Sequence, residues 1–346
     1  MDPIRVMVTG AGSAVGQGIV KSLRIGEVPV RIVGADIQWT SAALFRTDEA
    51  VLIPKVEDPG ALETMLEVIR KNNIQVVMIG SEFDLLFFSR HQETIRQKTG
   101  ALVLVSPQAT VETADDKWLT MEFFKRHGIP HPEACLVKDA REAEVRAGEW
   151  GYPLLLKSRT GTSSRNVHFL ASAEELRYWY PRTPKPMLQK LAGLPSESLD
   201  KEYTCSIFKC RDGKILGPFK ARRTIRGGHS RIVEVGKFEA LDHILLDIGK
   251  NLPACGSLNV QLMLGPSGPM PFELNARFSG TTAVRAYFGF NEPEMALKNY
   301  FLGEDLPEPV IRKGVAIRYD EEVFLQDAAA EELGKKRPVG EVVPWF

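Results

Sequence analysis

The first third of the chain alternates short apolar runs with amphipathic stretches, and this alternation restricts the fold more than any other feature. Residues 4–8, Ile-Arg-Val-Met-Val, read as a buried strand, 10–18 as a glycine-rich turn and 17–23 as a helix. A second strand follows at 30–36, a helix at 59–72, a third strand at 75–79 and a closing strand at 102–105. Strands that alternate with helices pair in parallel through crossovers, which predicts a doubly wound sheet. Loops at the carboxyl ends of its strands form the binding crevice of such a sheet. Residues 1–105 are therefore expected to be one α/β unit.

After Ser106-Pro107 the pattern predicts a helix over 113–127, then a small α/β stretch with strands near 134–137, 153–157 and 166–170. This is a second, smaller unit, 106–186. From 187 onward long strands are separated by glycine turns, at 202–210, 214–223, 231–235, 259–264 and 270–277, with helices at 241–251 and 281–287. Short glycine turns favour antiparallel pairing, so 187–346 is expected to be a largely antiparallel third unit. At 346 residues and 44% hydrophobic composition the chain can bury the cores that two or three units need. No internal repeat, low-complexity tract or long linker interrupts it.

Charge narrows the function classes. Lys+Arg and Asp+Glu both total 44, and no block of like charge stands out. A nucleic-acid groove or polybasic membrane patch has no support, and a small ligand is expected. The four cysteines contain no Cys-x-x-Cys pair, the N-terminus lacks a secretory pattern, and no apolar run approaches the ~20 residues of a spanning helix. A reducing cytoplasm fits best. His127 and His131 have helical metal-pair spacing, but Gly128, Pro130 and Pro132 break any helix there, leaving a solvated turn.

The glycine turn, Thr9-Gly10-Ala11-Gly12-Ser13-Ala14-Val15-Gly16, with Asp36 after the second strand, suggests a nicotinamide-dependent oxidoreductase. The spacing weakens this, since the third glycine arrives one residue late for Gly-x-Gly-x-x-Gly. No tyrosine has lysine four residues on, so a short-chain dehydrogenase pair is missing. A tight strand-to-helix turn is the simpler reading, with a substrate anion at the helix N-terminus still open.

Residues 259–264, Asn-Val-Gln-Leu-Met-Leu, and 270–277, Met-Pro-Phe-Glu-Leu-Asn-Ala-Arg, flank a turn at Gly265-Pro266-Ser267-Gly268. Side chains alternate along a strand, so Glu273, Asn275 and Arg277 share one face while Phe272, Leu274 and Ala276 face the core. With the turn centred on Ser267, Gln261 lies across from Glu273. One carboxylate with two amide oxygens suits a magnesium ion that keeps positions for water and phosphate. Arg277 then stands where it can balance charge on a transferring phosphoryl group.

No Gly-x-x-x-x-Gly-Lys-Ser/Thr loop is present, so phosphates need another cradle. The apolar strand ending at Lys157 runs into Ser158-Arg159-Thr160-Gly161-Thr162-Ser163-Ser164-Arg165, a hydroxyl-rich loop able to close over phosphates. An ordinary hairpin with a snorkelling lysine fits the same residues. Lys117 opens a helix, where a lysine opposes the dipole; a phosphate contact or a plain surface position explains it. The strand Met187-Leu188-Gln189-Lys190-Leu191 can line an adenine slot, and Glu202 can meet ribose hydroxyls.

Taken in order, Lys117, Lys157 with its hydroxyl loop, Gln189-Lys190-Leu191, Glu202, Gln261 and Glu273-Leu274-Asn275-Ala276-Arg277 resemble the ATP-grasp superfamily, nearest its carbamoyl-phosphate-synthetase-like carboxylate-amine (or thiol) ligases. The resemblance implies an N-terminal doubly wound pre-ATP-grasp domain, 1–105, ahead of a two-subdomain ATP-grasp fold of mixed α/β and α+β character. It implies ATP with Mg2+, or Mn2+, as cofactors. Lys117, Lys157, Ser163 and Ser164 would then hold phosphates, Gln189, Lys190 and Leu191 adenine, and Glu202 ribose. Gln261, Glu273 and Asn275 would bind the metal, and Arg277 and Arg223 the reacting phosphoryl group, with His229 near it. Arg285, or Arg222 with Arg223, is a candidate holder of the acid. The implied substrates are a small carboxylate and an amine, and a homodimer is allowed. Two departures stand out: only Gly161 in the phosphate loop, and Lys190 where relatives often carry an acidic residue. A regulatory ATP-binding protein without catalysis is the third reading, opposed by the intact Glu273, Asn275 and Arg277.

Overall fold

The structure is a computed structural model and describes residues 2–161, 166–192, 202–265, 268–332 and 341–342. The N-terminal strands β1 (Ile4–Thr9), β2 (Val30–Asp36), β3 (Glu49–Leu52), β4 (Val76–Ile79) and β5 (Leu102–Leu104) form a parallel sheet in the order β3-β2-β1-β4-β5. Along β1 the pleat sends Ile4, Val6 and Val8 to one core, shared with helix α1 (Ala14–Ile25). Met7 points to the opposite core, shared with α2 (Ala61–Lys71) and α3 (Leu85–Thr99). Helix α3 and strand β3 are absent from the sequence expectation. For α3 the reason is composition: only Phe88, Ser89 and Ile95 are buried, too few for a clear apolar stripe.

Strand order reverses between β1 and β4, and the backbones close there. A Cβ on Gly10, which has φ +51, would lie 2.6 Å from Ser81 Cβ, and one on Gly80 would lie 2.3 Å from the Thr9 carbonyl. Glycine is therefore a packing requirement at this crossing point.

The helix expected over 113–127 is two helices, α4 (Gln108–Asp115) and α5 (Lys117–Arg126). Asp116 separates them: its backbone is extended and its carboxylate caps α5, accepting from Trp118 N (2.8 Å) and Leu119 N (3.3 Å). The small unit follows, with β6 (Ala134–Leu136), α6 (Ala140–Trp150), β7 (Leu154–Ser158), β8 (Val167–Leu170), α7 (Ala173–Trp179) and β9 (Pro186–Lys190). Its sheet, ordered β6-β9-β7-β8, covers its own small core around Ala143, Leu154, Leu156 and Leu188.

A six-stranded antiparallel sheet completes the molecule. It contains β10 (Glu202–Lys209), β11 (Ile215–Arg226), β12 (His229–Val235), β13 (Gly256–Gly265), β14 (Gly268–Asn275) and β15 (Gly314–Ile317), in the order β14-β13-β10-β11-β12-β15. Helix α8 (Asp242–Asn251) backs one face, and the short helices α9 (Thr282–Tyr287) and α10 (Glu292–Ala296) follow β14. The core that α1 shares with β1 runs on through Phe208, Phe219, Phe278 and Phe290, so the N-terminal sheet and the large sheet are packed as one body.

Candidate active site

Three adjacent strands of the large sheet turn one polar face toward the small unit. The pairings Thr204↔Gln261, Gln261↔Glu273, Ser206↔Asn259 and Asn259↔Asn275 set these side chains side by side. Their sequence neighbours Tyr203, Cys205, Val260 and Leu274 fill the core on the other face. Phe272 is a correction to the simple alternation. The register slips between Gln261 and Leu262, which leaves Phe272 as an extra residue that lines the cleft instead of the core.

The cleft holds about 940 Å³ and lies where all three units meet. At the metal-type cluster, Gln261 Nε2 and Asn275 Nδ2 both donate to Glu273 Oε1, at 2.9 and 3.0 Å. Arg223 joins this cluster to the ribose candidate, donating to Glu202 Oε1 (2.7 Å) and Gln261 Oε1 (2.8 Å). Arg277 donates to Asn275 Oδ1 (2.9 Å) and the Phe278 carbonyl (2.9 Å). Burial works against its charge and Arg285 adds to that, while Glu82 of the N-terminal unit supplies the counter-charge in direct contact.

From the small unit, Lys157 enters the cleft 4% exposed. Burial pushes its ammonium down to about 8; Glu273 pulls the value up and Lys117 pushes it further down. Lys117, at the first turn of α5, donates to the Gly161 carbonyl (2.8 Å). Gln189 and Leu191 also line the cleft, and Gln189 Oε1 is buried with no hydrogen-bond partner. Ser163 and Ser164 lie outside the described residues.

Three sequence expectations are corrected by the packing. The Lys190 side chain does not enter the cleft but pairs with Glu133 (2.6 Å) and lies over the Trp150 ring. Arg222 pairs with Glu234 (2.8 Å) beside the Phe238 ring, so it does not wait for a substrate acid. Arg285 is fully buried, and the carboxylate it holds is Glu292 of this same chain (3.1 Å). The glycine turn is also satisfied internally. Asp36 accepts from Gly12 N and Ile37 N, both at 2.8 Å, and Ser13 caps α1 through Gly16 N. This agrees with a structural turn and leaves the nicotinamide reading without support.

Residues 6–103 match the family described as PylC-like, N-terminal domain. Among curated proteins, the carbamoyl phosphate synthase large chain of Sulfurisphaera tokodaii is 22% identical over 301 residues, 82% of this chain and 28% of that protein. The 2-oxoglutarate carboxylase small subunit of Hydrogenobacter thermophilus is 26% identical over 179 residues, 50% of this chain and 37% of that protein. The chain thus spans about a third of the length of these relatives. Two solved structures superpose over nearly all of it. N5-carboxyaminoimidazole synthetase from Staphylococcus aureus, complexed with ADP, has a TM-score of 0.72 at 14% identity, covering 92% of this chain and 83% of that one. The biotin carboxylase domain of Hydrogenobacter thermophilus 2-oxoglutarate carboxylase, with MgADP, ADP and bicarbonate, gives 0.70 at 17%, covering 91% and 74%. The chain has the ATP-grasp fold.

Within this fold the metal-type cluster consists of one carboxylate and two amides. Among the described residues no group of three or more His, Cys, Asp and Glu makes a complete cage. Both amides turn their nitrogens to Glu273 and their oxygens to Arg223 and Arg277, so Gln261 and Asn275 would rotate their amides to offer oxygen to an ion at Glu273. Sequence reasoning missed Glu82, Asn259 and Arg318, all of which line the cleft. Glu82 follows β4 at the carboxyl edge of the parallel sheet, where the crevice rule could have found it. Asn259 sits two residues before Gln261 on the same strand face, a signal already present in the alternation. Arg318 donates to the Gly280 carbonyl (2.5 Å) from a loop with no motif, and nothing local marks it. The four cysteines are free and burial raises each thiol, Cys205 to about 12, so none is a ready nucleophile.

Proposed function

We propose that this protein binds MgATP in the cleft and uses it to activate a small carboxylate as an acyl phosphate, which an amine then attacks with release of ADP and phosphate. The observation that carries the reading is the convergence of Lys117 and Lys157, from one side, on Glu273, Gln261, Asn275 and Arg277 from the other. Two ammonium groups facing one carboxylate and two amides make a site for a polyphosphate with its cation. The ion would neutralise phosphate charge held by Glu273, Gln261 and Asn275. Arg277 and Arg223 stand where negative charge develops, Glu202 where ribose hydroxyls would lie, and Gln189 where adenine would. The ADP and MgADP complexes of the structural neighbours support an adenine nucleotide with magnesium as the ligand.

Substrates would enter from the crevice of the N-terminal sheet, past Ser13, Ser81 and Glu82. A cytoplasmic location and a homodimer belong to the same proposal, supported respectively by four free cysteines and by the dimeric biotin carboxylase neighbour. Among the described residues no helix is long and apolar enough to cross a membrane. The test is ADP release with hydroxylamine as the trapping amine over a panel of carboxylates including bicarbonate. At least one acid should support turnover, and Glu273→Ala should reduce it by two orders of magnitude or more. Turnover that survives this change would remove the metal assignment.

A further inference from the structure

The strongest unused chemistry lies at the inner end of the polar face, where an ion pair is buried with no solvent contact. Arg285 and Glu292, both 0% exposed, pair at 3.1 Å under the floor of the cleft. Glu292 Oε1 also accepts from Ser257 Oγ (2.6 Å) and Ser206 Oγ (2.5 Å). The other arm of Arg285 reaches outward along the sheet: Nη2 donates to Asn259 Oδ1 in close contact and faces Thr204 Oγ1 at 3.4 Å. Thr204 Oγ1 donates to the same Asn259 oxygen at 3.1 Å.

This arrangement fixes which end of the Asn259 amide meets the cleft. A guanidinium has donors and no acceptor, so only the amide oxygen can face it. Glu292 in turn fixes the guanidinium, because a buried arginine cannot leave its carboxylate cheaply. The Nδ2 group is thereby aimed the other way; it makes no hydrogen bond among the described residues and lines the cleft beside Asn275, its cross-strand partner. Its two donor hydrogens are therefore turned away from Arg285, on a residue that lines the cleft together with Asn275 and Arg277.

We infer that Arg285 and Glu292 are positioning residues that hold Asn259 as an obligatory donor to the γ-phosphoryl oxygens of the bound nucleotide. The inference rests on the MgATP reading of the cleft. It gives the Arg285–Glu292 pair a role in phosphoryl transfer without contact to any substrate, and it adds Asn259 to the residues that touch the reacting group. A donor set by a buried ion pair needs no reorganisation when charge moves, which is the condition for stabilising a transfer step.

The substitution Asn259→Asp tests this cleanly. An aspartate keeps an oxygen toward Arg285 and Thr204, so the buried network survives, but it replaces the outward donor by an oxygen that repels phosphate. Titration calorimetry with magnesium and either ADP or the non-hydrolysable analogue AMPPNP supplies the readout. Asn259→Asp should weaken MgAMPPNP at least tenfold and leave MgADP within about twofold. Arg285→Lys, which retains a donor toward the Asn259 oxygen, should weaken MgAMPPNP less than Arg285→Met does, provided both variants keep the thermal transition of the parent. Equal losses for both nucleotides, or none for either, would overturn the inference. Failure of the parent protein to bind MgADP at all would instead overturn the reading of the cleft on which it rests.

Discussion

Lys157 shows how one residue takes its properties from a site it helps to build. Strand β7 carries it out of the small core, and burial holds its pKa near 8 against an ordinary value of 10.5. The sign of the consequence follows from proton counting. Between about 8 and 10.5 the unfolded chain binds this proton and the folded one does not, so the residue's contribution to stability rises with pH in that window. Nucleotide binding runs the other way, since phosphates require the ammonium form. Affinity for MgADP should be flat below pH 7 and fall about tenfold for each unit above 8. Lys157→Met should lower affinity at pH 7 and remove this slope. Calorimetry from pH 6.5 to 9.5 measures both, and an unchanged slope in the variant would assign the titration to another group.

At the scale of the element, Asp116 decides where a helix starts. A plain propensity reading carries one helix through 113–127, because no proline or glycine interrupts it. Asp116 instead turns out of the helix and caps α5, and Arg159 of the phosphate loop pairs with the same carboxylate at 2.5 Å. That one side chain fixes both the start of α5, which places Lys117, and the base of the loop beyond Lys157. Asp116→Ala should cost about 1–2 kcal/mol in urea unfolding, the usual value for a lost cap. Asp116→Asn should recover most of that stability, since asparagine caps nearly as well, while losing the charged grip on Arg159. MgADP affinity should therefore fall in both variants. A fall confined to the alanine variant would show that the cap alone organises the site.

At the scale of the whole molecule, the N-terminal sheet and the large sheet share a continuous core from Val6 through Phe219 to Phe290. The small unit has its own, smaller core around Leu154 and Leu188, meets the large-sheet core at one edge through Met187 and Ala134, and lines the cleft with Lys157 and Gln189. Such a unit opens with lower free energy than the body it sits on. Hydrogen exchange should be fastest, among the sheets, in β6 to β9. MgADP should slow exchange there by at least tenfold and leave β1 and β4 nearly unchanged, because Lys157 and Gln189 close on the nucleotide. Uniform protection across all three sheets would contradict the independent motion of the small unit.

Periodicity by itself determined the parallel and antiparallel character of the first and last sheets, their central strands without the edge strands β3 and β15, and the pairing of Gln261 with Glu273. These follow from local rules: a period of two assigns a face, and a turn assigns a partner. What periodicity cannot assign is the group that a polar side chain meets across units. Lys190 met Glu133 and Trp150, Arg285 met Glu292, and Arg277 acquired Glu82, a residue nearly two hundred positions away in the chain. Only the tertiary structure decided these, because an ion pair is set by distance and desolvation in space, and neither is written in the spacing of residues along a strand.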